Sequence, residues 1–306
     1  MRGEPGPAGY PYPPFLGAEG VPPDPSLAAA AIVPVPYDLT STWRKGADRG
    51  PSCLLDASGT IELYDIETGS EPWKRGIATL PPILHDGGPE ELALRVREVV
   101  AEVIGRGAIP VVIGGEHSVT IGAVEAVADA FPGVGVLQID AHGDTRESYE
   151  GSTHNHACVM ARARERCPIV QVGIRAVDSS EMPRLDPARV FWAHQIAARS
   201  DTGWMDEVVS LLPETVYLTI DLDAFDPSLL PATGTPEPGG LGWYAVNELV
   251  RRVARNRRIA GFDVVELLPT PGEHASDFIA AKLVHRVLAE IFAAGDAAGA
   301  VPGTRA

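Results

Sequence analysis

Short apolar runs alternate with amphipathic stretches along most of the chain, the pattern of repeated βα units around a mainly parallel sheet. The runs AAIVPVP (30–36), IPVVIGG (109–115), VGVLQID (134–140), CPIVQVGI (167–174), VYLTIDLD (216–223) and RIAGFDVVEL (258–267) predict strands. Their near-continuous apolar character predicts burial on both faces. Residues 89–105 open with Pro89 in a first-turn position and place Leu92, Val96, Val99 and Val103 at helical spacing. Residues 243–255 and 277–293 read as helices in the same way.

No internal repeat or linker interrupts this alternation, so one α/β domain is expected over residues 28–294. Residues 1–27 carry eight prolines, from Pro5 to Pro25, a density that blocks helix and ladder formation alike, and read as an N-terminal arm. Residues 295–306 are small and breaker-rich and read as a flexible tail.

A hydrophobic fraction of 45% supports a sizeable core. The net charge of −16 argues against nucleic acid or an anionic membrane as partner, because either needs an excess of Lys and Arg, and it suits a cationic small molecule better. Cys53, Cys158 and Cys167 match no zinc spacing and read as reduced thiols of a cytoplasmic protein. MRGEPGPAGYPYPPF has no apolar run behind its Arg, and no segment approaches the ~20 apolar residues of a membrane span, so the expectation is a soluble, unexported chain.

Three strand ends carry the chemistry. In VLQIDAHGD, alternation along an extended backbone puts Asp140, His142 and Asp144 on one side, at the edge where open α/β sheets build sites. VYLTIDLDAFDP repeats the arrangement with Asp221 and Asp223, which would repel at the end of a buried strand without a cation. VVIGGEHS adds His117 after a Gly114-Gly115 step, with Glu116 and Ser118 beside it.

A lone strand-end aspartate usually turns the chain or caps a helix. Four carboxylates and two imidazoles at three strand ends are far harder to read that way, and their charge balances two divalent ions. The oxygen-rich, thiolate-free donor set favours an ion such as Mn²⁺ over structural Zn²⁺. Hydrolysis by an activated water is the expected reaction class.

GGEHS, DAHGD and DLDAFDP, in this order, resemble the three signature motifs of the ureohydrolases, the arginase and agmatinase family. VPYDLTSTWRKGADRGP (35–51) resembles the family's first strand and loop, GTPEPGGL (234–241) its substrate-side loop and FDVVELLP (262–269) its last site strand.

The resemblance implies a three-layer α/β/α sandwich around an eight-stranded, mostly parallel sheet, a binuclear manganese centre, and homotrimers or homohexamers. It implies one ion on His117, Asp140, Asp144 and Asp221, and the other on His142, Asp140, Asp221 and Asp223. In EGSTHNHACVMARA it implies His156 as proton shuttle, with His154 the competing candidate. Glu266 matches the glutamate that holds the substrate guanidinium, and Asp144 would steady the attacking water.

Thr145-Arg146-Glu147 departs from the arginase side, where an asparagine two residues past the last ligand holds an α-carboxylate; the stretch resembles agmatinases instead. Agmatine, cleaved to putrescine and urea, is therefore the first expectation. Arg146 also leaves a guanidino acid such as guanidinobutyrate or guanidinopropionate, or arginine itself, in play. An Arg beside a dication is unfavourable unless Glu147 or Glu150 neutralises it. A non-catalytic metal-binding paralogue and a deacetylase-like hydrolase are the competing classes.

Overall fold

A computed structural model describes residues 12–20 and 24–299. Eight strands form a single sheet: β1 Ala30–Val35, β2 Ile77–Thr79, β3 Ile109–Gly114, β4 Gly135–Ile139, β5 Ile169–Ile174, β6 Val190–Trp192, β7 Thr215–Asp221 and β8 Arg258–Val265. Their spatial order is β2-β1-β3-β8-β7-β4-β5-β6, with every neighbouring pair parallel. The helices are α1 Gly50–Ser58, α2 Pro89–Gly105, α3 Thr120–Ala130, α4 Val159–Ala163, α5 Ala193–Ala197, α6 Gly203–Leu211, α7 Trp243–Asn256 and α8 Ala275–Gly299.

The three layers follow from the strand pattern. Successive β1 residues face opposite ways: Ala30 and Ile32 join a core with α1, α6, α7 and α8, while Ala31, Val33 and Val35 join a second core with α2 and α3. A sheet covered on both faces needs apolar residues at consecutive positions, which is why its strands read as unbroken runs.

The six expected strands and the helix over 89–105 form within a few residues of their anticipated bounds. The two edge strands β2 and β6, three residues each, are too short to leave a periodic signal. The chain ends add two observations. Part of the proline-rich stretch packs on the core: Phe15 is fully buried, its N–H donating to Thr79 Oγ1 at 2.9 Å, and the Leu16 N–H donates to Ser58 Oγ at 2.9 Å. At the other end α8 continues through Gly299. Residues 1–11, 21–23 and 300–306 of the expected arm and tail lie outside the described residues. All three cysteines are free thiols, Cys158 and Cys167 buried and Cys53 half-buried. Among the described residues no helix is long and apolar enough to cross a membrane.

Candidate metal centre

The four central strands β3, β8, β7 and β4 end side by side, and the candidate chemistry lies just past those ends. Strands ~4.8 Å apart place residues from remote sequence positions within one ligand sphere.

After β3 the chain passes Gly115, where a Cβ would sit 1.9 Å from the Tyr37 carbonyl oxygen, so only glycine lets the turn approach the β1 loop. His117 then opens a short 3₁₀ turn. Its Nε2 lies 2.9 Å from Thr219 Oγ1, and the Thr219 hydroxyl donates to Asp263 at 2.6 Å. The Thr proton is therefore committed to the carboxylate, and His117 must donate its own from Nε2. Nδ1 is left facing inward, buried and without a hydrogen-bond partner, 3.3 Å from Asp140, 2.9 Å from Asp144 and 3.4 Å from Asp221. An imidazole nitrogen converging with three carboxylates is a donor set that fits a divalent cation.

The alternation expected for the β4 and β7 ends is only partly extended backbone. Asp144 is reached through left-handed backbone at φ 50°, held by Met160 and Ala161 N–H groups donating to its carbonyl. Asp223 lies in a 3₁₀ turn over Leu222–Ala224, capped when its own N–H donates to Asp221 Oδ1 at 2.9 Å. The side chains still converge. His142 Nδ1 is 2.9 Å from Asp223 and 3.7 Å from Asp140, while the Ala141 N–H ties Asp223 back to the β4 turn at 3.1 Å. Two overlapping groups result: His117, Asp140 and Asp221 in one, Asp140, His142 and Asp223 in the other.

The electrostatics express the same shortage of positive charge. Burial alone would lower His117 and His142, yet the surrounding aspartates hold both imidazoles well above their ordinary pKa. Burial and neighbouring carboxylates push Asp144 to about 6 and raise Asp221 well above its usual range. Divalent cations on these donors would remove the repulsion and replace the imidazole protons.

Glu266, at φ 66° just after β8, accepts the His117 N–H at 2.8 Å and donates its own N–H to Gly115 at 2.8 Å. These bonds hold an uncommon backbone conformation for a non-glycine residue. Glu266 and His156 line a cavity of about 390 Å³ together with His117, His142, Asp144, Asp221 and Asp223; Asp140 sits fully buried beneath it. His154 does not line it and instead faces Thr153 and Glu90. Arg146 does line it, but Glu147 and Glu150 do not neutralise it. Glu147 pairs with Arg162 and Arg184, whereas Arg146 lies 3.5 Å from Glu181, 3.9 Å from Asp178 and 4.4 Å over the Tyr149 ring. With Glu237 and Arg44 also lining the cavity, its outer wall carries three carboxylates against two guanidiniums.

Sequence reasoning passed over Thr219, Asp263, Glu181 and Glu237. A carboxylate in the middle of the apolar run RIAGFDVVEL was the one available signal for Asp263.

The sequence profile of the arginase family matches residues 28–289. The chain is 40% identical over 275 residues to the N(1)-aminopropylagmatine ureohydrolase of Synechocystis sp., covering 85% of this chain and 88% of that one. It is 34% identical to the agmatinase of Pyrococcus horikoshii over 84% of this chain and 90% of that protein. The agmatine ureohydrolase of Thermoplasma volcanium superposes with a TM-score of 0.83 at 32% identity, covering 92% and 95% of the two chains. Sheet order, clustered acids and imidazoles, and these matches agree: the chain belongs to the arginase family, metal-dependent ureohydrolases that cleave C–N bonds of amidines.

Proposed function

We propose that this chain hydrolyses the guanidinium end of an agmatine skeleton to urea, and that its preferred substrate carries an aminopropyl extension on the far amine. The observation that carries the chemistry is the buried Nδ1 of His117 among three carboxylates. The substrate reading draws on the Synechocystis relative and on Asp178, Glu181 and Glu237, which outnumber Arg44 and Arg146 at the cavity wall and leave a net negative charge for ammonium groups leading away from the metal ligands. Agmatine itself is the second reading, favoured by the Pyrococcus relative.

In this proposal His117, Asp140, Asp144 and Asp221 hold one ion and His142, Asp140, Asp221 and Asp223 the other, with Mn²⁺ the best match to an oxygen-rich donor set. Bound there, the ions supply a water acidic enough to react near neutral pH. Glu266 holds the guanidinium through a paired carboxylate contact, which aims its carbon at the ligand cluster. Asp144 accepts a hydrogen bond from the attacking water. The water oxygen joins the guanidinium carbon, the bond from that carbon to the alkyl nitrogen breaks, and His156 passes the departing amine its proton. The family's trimers or hexamers and a cytoplasmic location complete the proposal; light scattering of the purified protein reads the assembly.

The test is urea release with Mn²⁺ from N-aminopropylagmatine, agmatine, arginine and guanidinobutyrate. A higher kcat/KM for N-aminopropylagmatine than for agmatine is expected. The reverse order selects the second reading, and no urea from either overturns both.

A further inference from the structure

Glu116 is fully buried between the β3 turn and the β1 loop, and each of its contacts comes from a donor. It accepts the Thr40 N–H at 2.7 Å, the Thr40 hydroxyl at 2.7 and 2.8 Å, the Ser118 hydroxyl at 2.6 Å and the Ser41 hydroxyl at 3.4 Å. On its other side the same Thr40 oxygen accepts the His156 N–H at 3.0 Å and lies 3.1 Å from His156 Nδ1.

A hydroxyl has one proton and two lone pairs, so these contacts constrain one another. Given to Glu116, the proton makes a charge-assisted bond. Turned toward Nδ1, it would leave two oxygens 2.7 Å apart with no proton between them inside the core. The proton therefore goes to Glu116, and the contact with His156 must be carried by a proton on Nδ1. The two lone pairs of Thr40 then receive the backbone N–H and the Nδ1–H of the same histidine.

We propose that Thr40, anchored by Glu116, is a positioning residue that locks His156 in its Nδ1–H tautomer and presents a bare Nε2 to the cavity. The proposal rests on the reading of His156 as the proton carrier. Over one turnover Nε2 takes the proton given up by the attacking water and passes it to the departing amine, so the ring ends neutral as it began.

The local fold explains why such a device is needed. His156 sits on a three-residue 3₁₀ turn, outside any strand. Besides Thr40, that turn is held by its Asn155 cap, where the Ala157 N–H donates to Oδ1 at 3.0 Å, and the Tyr149 ring meets the imidazole edge-on at 6.1 Å. Burial lowers His156 to about 4, so the resting ring is neutral and its tautomer is a choice the surroundings must make.

The test combines nitrogen NMR of histidine-labelled protein loaded with diamagnetic Zn²⁺, because paramagnetic Mn²⁺ broadens the signals, with urea-release kinetics under Mn²⁺. The His156 signals, assigned by their loss in His156→Asn, are expected to show a protonated Nδ1 and a bare Nε2. Thr40→Val should mix the tautomers and lower kcat about ten- to hundredfold with KM within about twofold, and Thr40→Ser should restore both. In Glu116→Gln the amide can donate to Thr40, freeing the hydroxyl to turn to Nδ1, so the ring should shift to Nε2–H. This second variant decides the matter by NMR if Thr40→Val fails to fold. An impaired His156→Asn beside an unchanged Thr40→Val, in tautomer and in kcat, overturns the positioning role alone. Full activity in His156→Asn overturns the proton-carrier reading and the purpose assigned here to Thr40 with it.

Discussion

His117 Nε2 stands 2.9 Å from Thr219 Oγ1, a pairing that turns the other nitrogen of the histidine toward Asp140, Asp144 and Asp221. Thr219 is itself oriented by Asp263, which also accepts from Tyr217 at 2.8 Å and Thr120 at 2.9 Å, so the histidine's tautomer is set from within the sheet. Thr219→Val removes the acceptor and leaves a buried N–H unpaired, at a cost of about 1–3 kcal/mol. Metal affinity is expected to fall about ten- to hundredfold, as for other groups that orient a metal-binding histidine. Chelator-competition titration checks this, with Thr219→Ser retaining near-normal affinity; equal affinities in Thr219→Val and the parent would remove Asp263 and Thr219 from the account.

Arg146 should set a charge preference that Glu181 offsets. Glu181 also accepts the Thr145 N–H at 2.9 Å, a bond that a glutamine oxygen can keep, so Glu181→Gln changes charge more than shape. With Arg146 left to Asp178 alone, KM for a polycationic guanidine is expected to rise about tenfold, equivalent to about 1.4 kcal/mol. KM for guanidinobutyrate, which carries a carboxylate, should move the other way. Parallel shifts for the two substrates would show that the residue acts through structure alone.

What could be read in the sequence was whatever a strand pattern or a short motif carries. The candidate ligand residues were legible because Asp140, His142, Asp144, Asp221, Asp223 and His117 each lie within five residues of the end of an apolar run. How they converge was not legible, since Asp223 depends on a 3₁₀ turn capped by Asp221 and Asp144 on left-handed backbone. Residues that act across the sheet were least visible. Nothing near Arg146 in sequence points to Glu181 as its partner, and the tempting neighbour Glu147 is taken by Arg162 and Arg184. The proposed substrate class likewise draws on such a wall, where Glu237 arrives from a loop distant in sequence.

Gly115 should tolerate no side chain. An added Cβ would lie 1.9 Å from the Tyr37 oxygen and 2.8 Å from its nitrogen, a backbone-on-backbone clash that no rotamer relieves. Relief would separate the β3 turn from the β1 loop and break the Gly115-to-Val35 and Glu116-to-Tyr37 bonds of 3.0 and 2.9 Å. Gly115→Ala is expected to cost about 3 kcal/mol or more in chemical denaturation and to weaken metal binding through His117. Gly105→Ala, in α2 with open space around the new Cβ, is the control and should change stability by no more than about 1 kcal/mol.

His285 makes stability depend on acid away from the metal centre. Its ring is fully buried, with Nδ1 3.4 Å from Lys282 Nζ and Nε2 3.3 Å from the Leu63 carbonyl. The ammonium can only donate, so Nδ1 accepts and Nε2–H donates to Leu63, leaving no acceptor for a second ring proton. Burial, then the Lys282 charge, lowers the folded pKa to about 4, with Arg286 acting in the same direction and Asp65 opposing. The unfolded ring takes its proton near pH 6.5. Between these values only the unfolded chain is protonated at this site, so stability must fall as pH falls from about 6.5 toward 4. The contribution lost between pH 7 and pH 5 is about 2 kcal/mol. His285→Gln can keep both contacts, its amide donating to Leu63 and its oxygen accepting from Lys282, without the titration. The gap in unfolding free energy between parent and variant should therefore shrink by that amount over this range. A gap that stays constant from pH 7 to pH 5 would mean that the folded protein takes up the proton as readily as the unfolded one.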